Sequence, residues 1–210
     1  KVLDRIKEVY LQDGRPWVIG YSGGKDSSCA LQLTWLAVRD LSPSDRSKPI
    51  YVISSDTLVE LPSVVDHVSV SQAKINAAAK EQGIRIHAET VVPAGNDTFW
   101  VNLIGRGYPA PYSNFRWCTE RMKITPTTAF IKSKVAEYGE AVIVLGARKS
   151  ESASRAQVMS DEKVIEKTSG EGANLTVTKN VYNVFVSRSS GFGPERAEAA
   201  GPVMGPPQSR

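Results

Sequence analysis

The chain has 210 residues, 41% of them hydrophobic and 23% charged, which suits one globular domain with a sizeable core and is too little for two. A net charge of +4 and a pI near 9.0 permit contact with nucleic acid without requiring it. Two cysteines, Cys29 and Cys118, exclude a disulfide framework and a complete four-thiolate metal site; with no membrane-length apolar run and no visible secretory leader, a cytoplasmic location and no membrane partner are expected.

The chain opens on Lys1 without a methionine, so its natural N-terminus is expected upstream. Leu3, Ile6, Val9 and Tyr10 recur at helical spacing and predict an amphipathic helix that ends near Asp13-Gly14. The apolar run Trp17-Val18-Ile19-Gly20-Tyr21 reads as a buried strand. It leads through Ser22-Gly23-Gly24-Lys25-Asp26-Ser27-Ser28 into a helical pattern from Cys29 to Leu36. A polar linker, Ser42 to Pro49, precedes a β-rich run, Ile50 to Ile53, that ends in Ser54-Ser55-Asp56. A helix is predicted from Ser63 to Glu81 with Gly83 as its stop, then a third strand from Ile84 to Ala88. An irregular middle containing Pro109-Ala110-Pro111 follows, then a helix over Thr125 to Tyr138. Ala141 to Leu145 is the clearest strand, and Gly146 ends it.

Strands alternating with helices imply right-handed crossovers, hence a doubly wound, mostly parallel sheet, put at five strands, with helices on both faces. Ligands in such sheets sit beyond the carboxyl ends of the strands, where strand order reverses. Three strand ends carry polar sequence: Ser22 to Ser28, Ser54 to Asp56, and Gly146 to Arg155. One domain is expected over 1–186. Residues 187–210, rich in Ser, Gly, Ala and Pro, have a composition that cannot bury a core and read as a disordered or non-native tail.

A strand, a glycine turn and a helix start aim backbone N–H groups and a helix dipole at one point, and Lys25 adds a full charge. The Walker pattern does not fit. It needs a glycine where this chain has Ile19 and Ser or Thr where it has Asp26. A solvated turn capped by Asp26 or Ser27 is the plainer reading, but a cap needs neither two glycines nor a lysine. Asp56 serves equally well as a nucleoside contact or as a helix N-cap. Cys118 among cations reads as a reactive thiolate or as an ordinary buried thiol, and Cys29 as a core residue. His67 and His87 lack metal-ligand spacing and read as surface or packed imidazoles, and no metal site is certain. Glu151 is placed to pair with Arg155.

The loop Ser22 to Ser27 closely resembles that of the PP-loop ATP pyrophosphatase family, within the adenine nucleotide alpha hydrolase-like fold. The resemblance implies that backbone amides of Ser22 to Ser27 and the Ser22 and Ser27 hydroxyls, with Gly23, Gly24 and Ser28 in the same cradle, hold the β- and γ-phosphates of ATP. Lys25 would balance their charge, and Asp26 would orient Mg²⁺ or the loop. Asp56, Gly146, Arg148 and Arg155 would face ATP from the other strand ends. Arg116-Trp117-Cys118-Thr119, followed by Arg121 and Lys123, resembles the phosphosulfate (PAPS) reductase branch. The surrounding words, Tyr51 to Thr57, Asn96 to Gly105 and Tyr112 to Lys123, resemble the DndC-type proteins of DNA phosphorothioation over roughly Ile6 to Met159.

That resemblance implies an enzyme that cleaves ATP to AMP and pyrophosphate and activates a DNA backbone phosphate for sulfur incorporation. Arg116 would be catalytic, Arg116, Trp117, Arg121 and Lys123 would meet substrate, and Cys118 would carry sulfur or ligate a cluster. It also implies DNA and other DNA-sulfur-modification proteins as partners, including a cysteine-desulfurase sulfur donor. Full-length relatives are expected to hold an iron–sulfur cluster; the segment after Gly146 contains neither cysteine nor tryptophan, so no cluster is expected on this chain. Alternatives are a phosphosulfate-reductase-like oxidoreductase and a nucleotide-dependent, non-catalytic assembly module.

Overall fold

The computed structural model of the chain describes residues 1–112, 115–146 and, as backbone, 182–183. Four strands, β1 (Trp17–Gly20), β2 (Ile50–Ser55), β3 (Ile86–Val91) and β4 (Val142–Leu145), form a parallel sheet with a short β5 (Tyr182–Asn183) at its edge. The order is β3-β2-β1-β4-β5, so the sheet has five strands, as the alternating pattern predicts. β1 pairs with β2 from Trp17 opposite Ile50, and with β4 from Trp17 opposite Val142. The chain steps outward twice on one side of β1 and then returns to its other side. The switch point therefore lies between the carboxyl ends of β1 and β4.

Helices α1 (Val2–Leu11), α2 (Lys25–Arg39) and α3 (Pro62–Glu81) cover one face, and α5 (Thr125–Tyr138) covers the other. In α2, the buried Ala30, Leu31, Thr34, Ala37 and Val38 follow the i, i+1, i+4, i+7, i+8 spacing of one helical stripe. Leu31, Ala37 and Val38 pack with Ile19, Val52 and Val144, none of which is exposed. Each such aliphatic side chain stabilises the fold by roughly 1.5–3 kcal/mol through burial. Opposite them, Val18, Tyr51 and Ile53 pack on Ile131 of α5. The alternation along β1 and β2 thus loads both faces, the mark of an interior parallel strand.

Most predicted boundaries hold within two residues. β3 begins at Ile86 rather than Ile84, because Ile84 is still folding back on the end of α3, with its N–H on the Ala79 carbonyl (2.9 Å). The larger correction concerns the basic segment. It lies in the irregular middle, yet α4 (Trp117–Thr119) and a π-helical turn (Glu120–Ile124) run straight into α5. Pro126, which has no N–H, falls where the i→i−4 ladder is already interrupted, since the Thr125 N–H reaches back to the Glu120 carbonyl.

Candidate active site

The loop after β1 stands at the switch point. Gly23 adopts φ +71°, which a side chain would oppose, and this turns the chain so that α2 starts at once. The N-cap is Gly24, without a side-chain cap, so the reading of Asp26 or Ser27 as N-cap does not hold. Lys25, Asp26 and Ser27 instead form the first helical turn, whose N–H groups have no acceptor within the helix. The two serines are brought together: Ser22 Oγ lies 3.2 Å from Ser27 Oγ, and Ser27 Oγ also takes the Ser22 N–H (3.3 Å) and donates to the Gly24 carbonyl (2.9 Å). The Ser28 N–H returns to the Gly24 carbonyl (2.9 Å). Thus the Ser22 and Ser28 amides are held inside the loop, to the Ser27 hydroxyl and the Gly24 carbonyl. Lys25 is 75% exposed, with its ammonium 3.5 Å from the Asp26 carboxylate.

Gly146 is required for packing rather than for ligand approach alone. A Cβ there would come within 2.4 Å of the Asp26 carbonyl oxygen and 2.9 Å of the Ser27 nitrogen. The end of β4 therefore presses directly on the first turn of α2 and fixes the direction of its amides. From the other side α3 crosses the loop: the His67 ring lies 3.2 Å from the place a Gly23 Cβ would occupy. Sequence spacing gives no hint of this contact, since it depends on two crossovers bringing α3 back over α2. Arg148, Arg155 and Glu151 lie outside the described residues.

Asp56 caps no helix, because α3 begins after Leu61. Its carboxylate takes the Leu58 N–H (2.8 Å) and holds that residue at φ +62°. Ser54, on the same strand end, is buried and its Oγ finds no hydrogen bond among the described residues. Ser55 Oγ meets Thr127 Oγ1 of α5 at 3.2 Å, tying this strand end to the basic helix.

That helix divides its functional-looking residues. Trp117 is only 6% exposed, stacks on Phe99 (5.4 Å, 22°) and donates its Nε1–H to the Pro109 carbonyl (2.9 Å), so it packs the segment and offers no face to a base. Arg121 is likewise engaged, to Asp97 (2.5 Å) and the Tyr108 hydroxyl (2.9 Å). Burial pushes the Asp97 carboxyl up, but hydrogen bonds from Arg121 and Arg106 outweigh it and hold the group below the usual carboxylate range. Lys123 pairs with Glu60 (3.4 Å), which in turn accepts from Thr57 Oγ1 (3.1 Å). Arg116 is exposed, ahead of the first turn of α4, and Cys118 is half-buried. Asp97, Phe99, Asn102 and Tyr108 were not singled out by their chemistry. Asn102 is wholly buried and binds Thr98 O and Arg106 Nη1, a role visible only once the segment is folded.

The residues fit Mg²⁺ in kind: one carboxylate, Asp26, in the first turn of α2 matches an ion that takes one or two carboxylates and completes its shell with phosphate oxygens and water. An iron–sulfur cluster does not fit this chain's own residues, since the two cysteines stand on separate helices and no group of three or more potential ligands occurs among the described residues.

A parallel sheet with a lysine-bearing glycine turn at its switch point defines a nucleotide-utilising α/β domain. The chain belongs to the phosphoadenosine phosphosulfate reductase domain family, whose model matches residues 16–170. It is 29% identical over 151 residues to an uncharacterized protein of Methanocaldococcus jannaschii, covering 72% of this chain and 26% of that protein. The chain thus spans about a quarter of the length of that relative. Similar folds include a phosphoadenylyl-sulfate reductase of Candida auris in a phosphate complex (15% identity, TM-score 0.42, 70% of this chain and 61% of that one). A U34-tRNA thiolase of Methanococcus maripaludis with its 4Fe–4S cluster gives 15% identity and a TM-score of 0.44 over 75% and 47%. An NAD+ synthetase of Burkholderia pseudomallei gives 19% and 0.42 over 76% and 61%. No helix among the described residues is long and apolar enough to cross a membrane.

Proposed function

We propose that this chain is an ATP pyrophosphatase that adenylates a DNA backbone phosphate, preparing it for sulfur incorporation. The observation that carries the first half is the first turn of α2 at the sheet's switch point, with the Ser22 and Ser27 hydroxyls clustered beside it and Lys25 exposed. In the step itself a non-bridging DNA oxygen attacks the α-phosphorus of ATP. The bond from that phosphorus to the bridging oxygen breaks, and its electron pair leaves with diphosphate. Charge accumulates on the β- and γ-phosphates as they depart, where the amides and Lys25 stand. Mg²⁺, held through Asp26 and the phosphates, would supply further charge neutralisation.

The DNA half rests on the DndC-type resemblance and on the exposed residues of the segment around Arg116. Arg116 is exposed, and beside it in the segment Tyr112 (58% exposed) and Trp100 (57%) leave aromatic faces open. Cations interleaved with open rings suit a polyanion whose bases can stack. Other modification proteins, a cysteine desulfurase among them, and a cytoplasmic setting belong to this reading. The deciding measurement is product analysis with α-labelled ATP and duplex DNA. AMP with diphosphate, and label transiently on DNA, is the expected result; ADP with phosphate, or no turnover with DNA present, would overturn it. The family's own description favours a second reading, reduction of an adenylyl-sulfate. Sulfite release from labelled phosphosulfate, with ATP left intact, would select that one.

A further inference from the structure

β3 stands at one end of the sheet order, with β2 on its inner side. The Ile50 N–H donates to the Arg85 carbonyl (2.8 Å) and the Asp56 N–H to the Val91 carbonyl (3.0 Å). Odd-numbered residues of β3 therefore turn their backbone groups toward β2, and Ile86, Ala88 and Thr90 turn theirs outward. Such an edge is a template on which another strand can pair. Here a side chain fills its centre. Asn76, on α3, accepts the Ala88 N–H at Oδ1 (2.7 Å) and donates from Nδ2 to the Ala88 carbonyl (3.1 Å). One carboxamide thus makes both bonds that a neighbouring strand would make to Ala88. The Ile86 N–H is used locally, by the Ile84 carbonyl (2.9 Å). One turn earlier on α3, Gln72 donates to the Glu89 carbonyl and accepts from the Thr90 hydroxyl, both at 2.8 Å. Asn76 is exposed, lies inside the helix and is followed by Ala77, Ala78 and Ala79. For the helix alone, alanine would serve better at this position as well.

We propose that the outer edge of β3 is a pairing surface for β3 of a second copy of this chain, and that Asn76 keeps it closed. This surface is independent of the nucleotide site. The strand's own sequence selects the occupant. An antiparallel pair of β3 strands centred on Ala88 is self-complementary, since the two Ala88 residues exchange both backbone bonds across a twofold axis. His87 of each copy then faces Glu89 of the other, and Ile86 faces Thr90. His87 and Glu89 are both exposed, so an imidazole meets a carboxylate twice. With the carboxamide seated, the centre of the edge is taken. With it withdrawn, the edge is open and already extended, because β2 holds the strand from the inner side.

Asn76→Ala tests this in the 210-residue chain, with Gln72 left to hold α3 on the strand. Mass is followed by sedimentation equilibrium as concentration rises, and exchange of the Ala88 amide by NMR. In dilute solution the variant should exchange Ala88 at least about tenfold faster than wild type, as an amide released from its bond does. At higher concentration its mass should double relative to wild type, and Ala88 should become slow again. Adding Glu89→Lys sets a lysine against His87 on both sides and should weaken the association roughly five- to tenfold. A variant that frees Ala88 yet keeps the wild-type mass at every concentration would overturn the pairing surface. Unchanged exchange at Ala88 would overturn the closure by Asn76, and association untouched by Glu89→Lys would overturn the pairing about Ala88. Should Asn76→Ala lose the protected Val18 amide of β1 and so fail to fold, Asn76→Gln, which moves the carboxamide by one methylene, is read by the same criteria.

Discussion

Two lysines at opposite ends of the same sheet show how this domain separates holding from binding. Lys48 lies at the amino end, just before β2, with its side chain 4% exposed. Its ammonium donates to the Asp13 carbonyl (3.1 Å), lies 3.5 Å from the Asp13 carboxylate, and sits over the faces of Tyr10 (4.3 Å) and Trp17 (5.3 Å). A polar depression of about 140 Å³ opens there between Tyr10, Asp13, Ser44 and Lys48, but its cation is already spoken for within the protein. Lys25, at the carboxyl end, is on the surface, and its aspartate neighbour is adjacent in sequence. The loop there is set by glycines and by the Ser22 and Ser27 hydroxyls. One end closes its lysine between side chains and the other leaves its lysine at the surface.

That contrast breaks first at Gly146. Gly146→Ala puts a methyl group 2.4 Å from the Asp26 carbonyl oxygen, and backbone cannot yield as a side-chain tip does. The expected cost is about 3 kcal/mol in urea denaturation, with pyrophosphate binding lost as the amides turn away. Gly20→Ala meets only the Leu145 Cδ2, at 2.7 Å, and should cost less. Equal effects would show that the pressed contact between β4 and α2 does not set the cradle. Lys25→Ala comes next, with diphosphate release down at least about 100-fold and stability within about 0.5 kcal/mol of wild type. Asp13→Ala should invert the pattern: about 2 kcal/mol of stability lost, less than for a fully buried pair because Asp13 is 25% exposed, with binding unchanged below the melting transition. Release from ATP that falls with Asp13→Ala as steeply as with Lys25→Ala would merge the two ends into one functional unit.

The open end was the more legible of the two in sequence. A glycine loop at a strand's end is local, so Ser22 to Ser28 could be read from adjacent residues, and strand alternation located the switch point. The closed end was not. Lys48 reads as part of a polar linker, and its pairing with Asp13 spans 35 residues. The basic helix failed for a related reason. Arg116, Trp117 and Arg121 look alike as a cationic, aromatic run, yet Phe99 covers Trp117 while Asp97 and Tyr108 engage the Arg121 guanidinium. Partners contributed from elsewhere in the chain decide which charges remain available, and composition carries no record of them.

The smallest effects sharpen the comparison through pH, since the closed end has perturbed groups of its own. Burial pushes Asp13 up, but hydrogen bonds from the Arg15 side chain and backbone hold it below its ordinary value. Its contribution is therefore complete above the unfolded pKa of 3.8 and disappears as pH falls through the lower folded value. Asp13→Asn should flatten the acid limb of a stability–pH curve. Burial lowers Lys48 from 10.5, so the unfolded chain binds the extra proton just below that value and stability rises with pH there. Burial likewise raises Tyr10 from 10 to about 12, so the folded chain keeps its proton longer and stability falls with pH across that interval. The two slopes oppose each other around pH 10. Lys48→Met should remove the rise and leave the fall, and Tyr10→Phe the reverse. A curve unchanged by both would mean that the buried ammonium is solvated in the folded state, and that the amino end is no more closed than the end that carries Lys25.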